Sequence, residues 1–180
     1  MQRLIGFIGV ASVDIICQTL MAYNKPLGWI ISVLSAIGLL YIYRKDFKQK
    51  PKIKQAILLV LLIMICEVAI EAVLPIKSAN QNAIKQMDYT SMFVLSMILA
   101  PICEELMFRK YLITGKAWTD WFLSPIFFTL IHATSGPSVL LYLLLSYGLT
   151  YLRNKYNLTT SYIGHLTNNA AAFLMILINK

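Results

Sequence analysis

Long apolar runs, separated by short polar breaks, constrain this chain more than any other feature of its sequence. The runs approach the roughly 20 residues that an α-helix needs to cross a hydrocarbon core. There are seven of them, at 4–23, 27–43, 56–74, 89–110, 120–134, 138–152 and 159–178. In lipid every backbone polar group needs an internal partner, and runs without strand-like alternation meet that need as helices. The sequence therefore predicts an all-α, polytopic transmembrane helical bundle.

Composition agrees with this fold class. Hydrophobic residues make up 58% of the chain and charged residues 13%, whereas about 25% of the residues of an average soluble domain are charged. Cys17, Cys66 and Cys103 each lie within an apolar run. A cysteine in such a place packs as a small hydrophobic residue, so the sequence predicts three free thiols and no disulfide framework.

The net charge of +8 is distributed unevenly between the two sides of the predicted bundle. Leaving out Arg109, which lies inside a run, one side receives eleven basic residues: Arg3, Arg44, Lys45, Lys48, Lys50, Lys52, Lys54, Lys110, Lys116, Arg153 and Lys155. The other side receives four: Lys25, Lys77, Lys85 and Lys180. This bias predicts a multi-pass membrane protein with a cytoplasmic N-terminus. The small size and the lack of organelle signals fit a bacterial plasma membrane. The basic loop 44–54 would then contact anionic lipid, and no nucleic-acid partner is expected.

The fourth run contains three ionisable residues where lipid makes charge costly. Each of Glu104, Glu105 and Arg109 would cost roughly 2.5–3.5 kcal/mol at the centre of a membrane helix without a partner. Residues four apart share a helix face, so Glu105 and Arg109 can form an ion pair. Glu104 projects roughly 100° away from Glu105 and remains available to face a wet cavity. That is the position of a general base.

Two later runs each contain a histidine paired at i, i+4 with another residue. Phe128 precedes His132 in the fifth run, and Asn169 follows His165 in the seventh. Taken singly, such residues commonly serve as hydrogen bonds between membrane helices. Taken with Glu104, they suggest a shared site.

Depth in the bilayer tests whether the three helices can cooperate. Glu104 lies 12 residues before position 116, His132 lies 12 after position 120 and His165 lies 10 after position 155. At 1.5 Å per residue, each is roughly 15–18 Å from the predicted cytoplasmic side. The matched depths predict one buried site that opens toward the cytoplasm.

Pro101 is expected to distort the fourth helix next to Glu104. Proline lacks a backbone N–H and commonly kinks a helix, which frees the carbonyl four residues earlier, at Met97. The distortion either opens space beside Glu104 or is a tolerated packing kink. The sequence leaves both interpretations open.

Three further acidic residues are unexpected in apolar runs. Asp14 lies in the first run, and Glu67 and Glu71 share a face of the third. They could pair with Lys77 or line a cavity.

Three spaced motifs lie on successive hydrophobic segments: Glu-Glu-x-x-x-Arg at 104–109, Phe-x-x-x-His at 128–132 and His-x-x-x-Asn at 165–169. The first is preceded by Ala-Pro, at 100–101. The ordered set resembles the CPBP family of CAAX-processing and bacteriocin-processing intramembrane proteases, also called Abi, which includes type II CAAX prenyl endopeptidases. The resemblance covers about residues 89–178 and makes 1–88 an accessory region within a single membrane domain, 1–180. Lys110 departs from the family pattern, where glycine is common.

The resemblance implies hydrolysis of a peptide bond in a membrane-associated peptide or protein. Glu104 would act as general base on a water that His132 helps to hold, and His165 and Asn169 would stabilise the oxyanion. Glu105 and Arg109 would be the supporting pair, with Phe128 shaping the pocket. No cofactor is expected.

Three alternatives remain. Glu104, His132 and His165 could instead form a His₂Glu zinc site, although no His-Glu-x-x-His motif is present. A non-catalytic bacteriocin self-immunity protein is a different class of function. A small proton-coupled transporter, with Asp14, Glu67 and Glu71 as a relay, is the third, although no inverted repeat is visible.

Overall fold

The part of the chain that the structure describes forms seven long helices. The computed structural model describes residues 1–74, 84, 86–132 and 136–179, and no strand occurs among them. The helices are α1 (Gln2–Tyr23), α2 (Lys25–Ile42), α3 (Ile53–Val73), α4 (Tyr89–Tyr111), α5 (119–132), α6 (Ser138–Lys155) and α7 (Leu158–Asn179). Each coincides with one predicted run to within a few residues, so the predicted all-α bundle is confirmed. The end of the fifth run, 133–134, and Lys77, Lys85 and Lys180 lie outside the described residues.

Five of the helices, α1, α2, α3, α4 and α7, are long and apolar enough to cross a membrane. Many large apolar side chains on α1, α2 and α3 are exposed on the surface of the bundle, among them Leu4, Ile15, Leu34 and Leu62. Such a surface is unfavourable in water and suits contact with lipid. The three cysteines are free, as predicted. The chain is therefore a multi-pass membrane protein.

Helix α4 is the centre of the bundle. About 67% of its span is buried, against 17–22% for the other four candidate spans. Helices α1, α2, α5 and α7 all pack against it. Ionisable residues on α4 are therefore shielded from lipid by neighbouring helices, which is how a membrane protein tolerates them.

Two segments of α4, Val94–Leu99 and Glu105–Tyr111, are wound as wider π-helical turns. In the first, the N–H of Ala100 donates to the carbonyl of Leu95, five residues earlier. In that register the carbonyl of Ser96 would pair with residue 101, which is proline and has no N–H. The sequence argument placed the free carbonyl at Met97 because it assumed α-helical spacing of four. Because of the wider turn, the carbonyl that lacks a backbone N–H donor is that of Ser96 and not that of Met97.

Most basic residues of the described ranges gather at one end of the bundle, whereas Lys25 lies at the other end and Arg109 inside. Three contacts join the helix ends there: Arg3 donates to the Ile113 carbonyl at 2.8 Å, Lys110 pairs with Asp46, and Asn157 donates to the Lys50 carbonyl at 3.1 Å. The sequence predicted that these residues lie on one side of the membrane. The directions in which the helices run place them together at one end of the bundle. We call this the basic end.

At the opposite end of the bundle, Asp88 caps the first turn of α4. We call this the acidic helix cap. The Asp88 carboxylate accepts the backbone N–H of Ser91 at 2.9 Å and pairs with Lys25 at 2.9 Å. The Ser91 N–H and then Lys25 lower the pKa of Asp88 to about 2. Trp29 donates its indole N–H to the Ser91 hydroxyl at 2.9 Å. These contacts fix the start of α4 against α2.

Candidate active site

Glu104, His132 and His165, from α4, α5 and α7, meet inside the bundle. Oε2 of Glu104 lies 3.4 Å from Nε2 of His132 and 3.5 Å from Nε2 of His165. The exposed fractions of the three side chains are 9%, 15% and 3% in that order. The structure thus brings together the three residues that the depth argument grouped. A buried carboxylate between two imidazoles is an arrangement suited to moving a proton.

Glu105 and Arg109 form the buried ion pair that their spacing predicted. Arg109 Nε lies 3.7 Å from Glu105 Oε1, and both side chains are fully buried. This distance gives a Coulombic attraction but is too long for a hydrogen bond. The guanidinium instead donates to the hydroxyl and the carbonyl of Ser146, at 3.0 and 3.3 Å, and lies 4.4 Å from the centroid of the Phe128 ring. Arg109 therefore fastens α4 to α5 and α6.

His165 contacts both carboxylates. Its Nδ1 lies 3.1 Å from Oε1 of Glu105, while its Nε2 faces Glu104. The sequence argument assigned Glu105 to Arg109 alone, because i, i+4 spacing says nothing about contacts from another helix. Glu105 thus links Arg109 to His165 and orients the imidazole toward Glu104.

The tautomer of His132 follows from its partner. Nδ1 lies 2.8 Å from the backbone carbonyl of Phe128, and a carbonyl oxygen can only accept a hydrogen bond. Nδ1 therefore carries a hydrogen, and in the neutral ring Nε2 is the bare acceptor that faces Glu104. The ring is also stacked on Phe128, with centroids 4.4 Å apart, and on Tyr142, with centroids 5.1 Å apart.

Asn169 ties α7 to the π-helical turn of α4. Its Nδ2 donates to the Ser96 carbonyl at 2.8 Å, which is the carbonyl that Pro101 leaves without a helical partner. The amide nitrogen has a second hydrogen that this bond does not use. A role for Asn169 at an oxyanion remains a prediction, and the contact with Ser96 adds a structural role that the sequence did not suggest.

A cavity of about 810 Å³ adjoins this cluster, which is within the usual size range of ligand sites. Its wall includes the predicted site residues Glu104, Phe128, His132, His165 and Asn169, and it also includes Asp14, Gln18, Glu67 and Glu71 from α1 and α3. Lining a cavity was one of the two roles proposed for Glu67 and Glu71. The other, pairing with Lys77, falls outside the described residues.

The cavity extends away from the basic end. Glu104 and His165 each lie seven residues from the ends of α4 and α7 that adjoin the basic end. From them the wall continues to residues such as Glu71, Met92 and Ile176, at the opposite ends of their helices. The opening toward the basic side, which the sequence argument expected from depth alone, stays a prediction. Depth fixes how far a residue lies from each surface and gives no direction for the space beside it.

Sequence reasoning missed Ser146 and Tyr142. Ser146 could have been noticed as a small polar residue in an apolar run, since such residues often join membrane helices. Tyr142 gave no signal, because tyrosine is common in helices of this kind. No group of three His, Cys, Asp or Glu side chains within the described ranges is arranged to hold a metal ion.

Comparison with known proteins finds one family that matches the second half of the chain. Residues 86–171 match the family described as type II CAAX prenyl endopeptidase Rce1-like, and this segment includes every predicted site residue. The UPF0177 protein YaiF of Lactococcus lactis subsp. lactis (strain IL1403) is 34% identical over 97 residues, which are 52% of this chain and 44% of that protein. The match therefore spans less than half of the relative's length. No solved structure matches the chain. The segment 86–171 of this multi-pass membrane protein is therefore similar to the type II CAAX prenyl endopeptidase Rce1-like family.

Proposed function

We propose that this chain is an intramembrane endopeptidase that hydrolyses a peptide bond of a membrane-associated peptide or protein. The observation that carries the proposal is the buried Glu104 carboxylate, held between two imidazole Nε2 atoms at the wall of a cavity. A carboxylate can take a proton from water, and the imidazoles can hold the water and the charge that develops on the substrate. The family of the segment 86–171 supports the same chemistry.

In the first step a water donates one hydrogen to Glu104 and the other to Nε2 of His132. Two hydrogen bonds of about 2.8 Å at the angle of a water molecule set their acceptors about 4.4 Å apart. The two acceptor atoms are 3.4 Å apart, so His132 must withdraw by about 1 Å when the water enters. A lone pair of the water oxygen then points away from both acceptors and toward the scissile carbonyl carbon.

Glu104 takes a proton from the water as the oxygen bonds to the carbonyl carbon, giving a tetrahedral intermediate. The same proton then passes to the amide nitrogen, the C–N bond breaks, and Glu104 returns to its starting form. No step requires a metal ion.

His165 is suited to stabilise the negative oxygen of that intermediate. In its doubly protonated form, Nδ1–H donates to Glu105 and Nε2–H faces the side of Glu104 on which the reaction occurs. The second amide hydrogen of Asn169 supplies a further donor. Removal of one such donor commonly lowers kcat by about 10²–10³-fold.

The orientation that we propose follows from the charge distribution. By the positive-inside rule the basic end lies in the cytoplasm of a bacterial cell. In that orientation the cavity extends from Glu104 toward the outer leaflet, and the substrate approaches the carboxylate from the bilayer.

The test is the Glu104→Gln substitution in the native host. We expect peptides whose processing requires the protein to accumulate unprocessed in this variant, while the amount of protein in the membrane stays at the wild-type level. Quantitative proteomics of the two strains measures both, and it identifies the substrate. Asp46→Asn is the matched control, because it makes the same acid-to-amide change at the basic end, against Lys110. Normal processing in a well-expressed Glu104→Gln strain would overturn the proposal.

A further inference from the structure

We propose that Tyr142 is a positioning residue that holds the His132 imidazole in the plane from which Nε2 faces Glu104. The inference rests on the function proposed for His132. It assigns Tyr142 no contact with the substrate. Its action would be exerted entirely through the ring of His132.

The imidazole is stacked on two aromatic rings. The Phe128 ring centroid lies 4.4 Å away at an interplanar angle of 28°, and the Tyr142 centroid lies 5.1 Å away at 27°. Near-parallel rings at such distances attract each other by about 0.5–1.5 kcal/mol beyond their area burial. The two contacts come from different helices, since Phe128 belongs to α5 and Tyr142 to α6.

Among the aromatic rings that the structure describes on either side of the imidazole, Tyr142 is the one that belongs to a helix other than α5. Phe128 is one turn earlier in α5, and it also provides the carbonyl that accepts the Nδ1 hydrogen. A ring held at Nδ1 alone can still swing about that hydrogen bond. The planar face of Tyr142 restricts this swing from the side of α6.

The ring also has space into which it could move. The His132 side chain is 15% exposed, against 3% for His165, and His132 and Tyr142 both line the cavity. His165 also lines the cavity, but it is less exposed and Glu105 holds its Nδ1, so it does not need a stacking partner of this kind. The more exposed of the two histidines is the one that is stacked between two aromatic rings.

The experiment measures the rate at which diethyl pyrocarbonate modifies each histidine of the full-length protein in detergent micelles, by peptide mass spectrometry. Tyr142→Leu removes the planar face, Tyr142→Phe retains it, and Tyr147→Leu makes the same change on a more exposed face of α6. We expect His132 to react about two- to thirteenfold faster in Tyr142→Leu, the fold-change that corresponds to a lost stacking energy of this size. Tyr142→Phe should restore the wild-type rate, and His165 serves as the internal reference in each variant.

Equal His132 rates in all variants would overturn the proposal, and so would a Tyr142→Phe variant that behaves like Tyr142→Leu. A parallel increase at His165 would also overturn it, because Tyr142 would then be a general packing residue. On a substrate found by the Glu104→Gln comparison, Tyr142→Leu should lower kcat with little change in KM. The labelling requires no substrate, so a failure of the proposed function and a failure of this inference give different results.

Discussion

Replacing Arg109 tests whether the buried ion pair is a structural clamp. Arg109→Met keeps most of the side-chain volume and removes the charge, so Glu105 is left buried without its cation. At 3.7 Å and an effective dielectric constant of about 20, the lost attraction is about 4.5 kcal/mol. Breaking a buried pair by removing one partner typically costs about 3–5 kcal/mol. We expect a loss of stability in that range, because the hydrogen bonds to Ser146 disappear as well.

The double variant Glu105→Gln/Arg109→Met separates charge from packing. The glutamine keeps an oxygen that can accept the Nδ1 hydrogen of His165, and neither remaining side chain is charged. Removal of both charges is much less costly than removal of one. We therefore expect the double variant to be at least about 1 kcal/mol more stable than Arg109→Met.

Unfolding of the purified variants in mixed micelles, followed by circular dichroism, measures these differences. The amount of each variant in the membrane fraction provides a second readout. An Arg109→Met protein as stable as the wild type would refute the clamp. If such a protein were also inactive, Arg109 would have to act in the chemistry.

Two further predictions concern the acidic helix cap and metal dependence. Because the folded-state pKa of Asp88 is lowered to about 2, its charged form stabilises the fold above about pH 4, and this contribution is lost as the pH falls toward 2. In Asp88→Asn, unfolding midpoints should lack this component of the pH dependence. The effect should stay below about 1 kcal/mol because the side chain is partly exposed to solvent, and identical pH profiles would contradict it. Strong chelation should leave cleavage by the purified protein unchanged, whereas activity lost to a chelator and restored by zinc would contradict the metal-free mechanism.

The sequence was sufficient for the helices and for the grouping of the buried polar residues. Apolar runs of membrane-spanning length determine where helices form, and the cost of isolated charge in lipid requires that Glu104, Glu105 and Arg109 find partners. Equal depth then restricts which helices can supply those partners. The contacts between Glu104 and both histidines follow from that restriction.

Other features depended on contacts that spacing does not encode. The π-helical turn before Pro101 changes the register of the backbone hydrogen bonds, so the unsatisfied carbonyl moves from Met97 to Ser96. The stacking of Tyr142 on His132 depends on how α5 and α6 pack. The direction of the cavity depends on all the helices that surround it, and no single helix specifies it.

The wall of the cavity combines residues from inside and outside the segment that matches the family. Asp14, Gln18, Glu67 and Glu71 all precede residue 86, where the match to the family begins. The residues proposed to carry out hydrolysis all lie within the matched segment. We therefore expect substitutions in α1 and α3 to change what the cavity admits without altering the residues proposed to hydrolyse the peptide bond. If the proposed hydrolysis holds, substrate preference can change separately from the reaction, and a chimaera that carries foreign α1–α3 helices should retain the reaction and acquire a new preference.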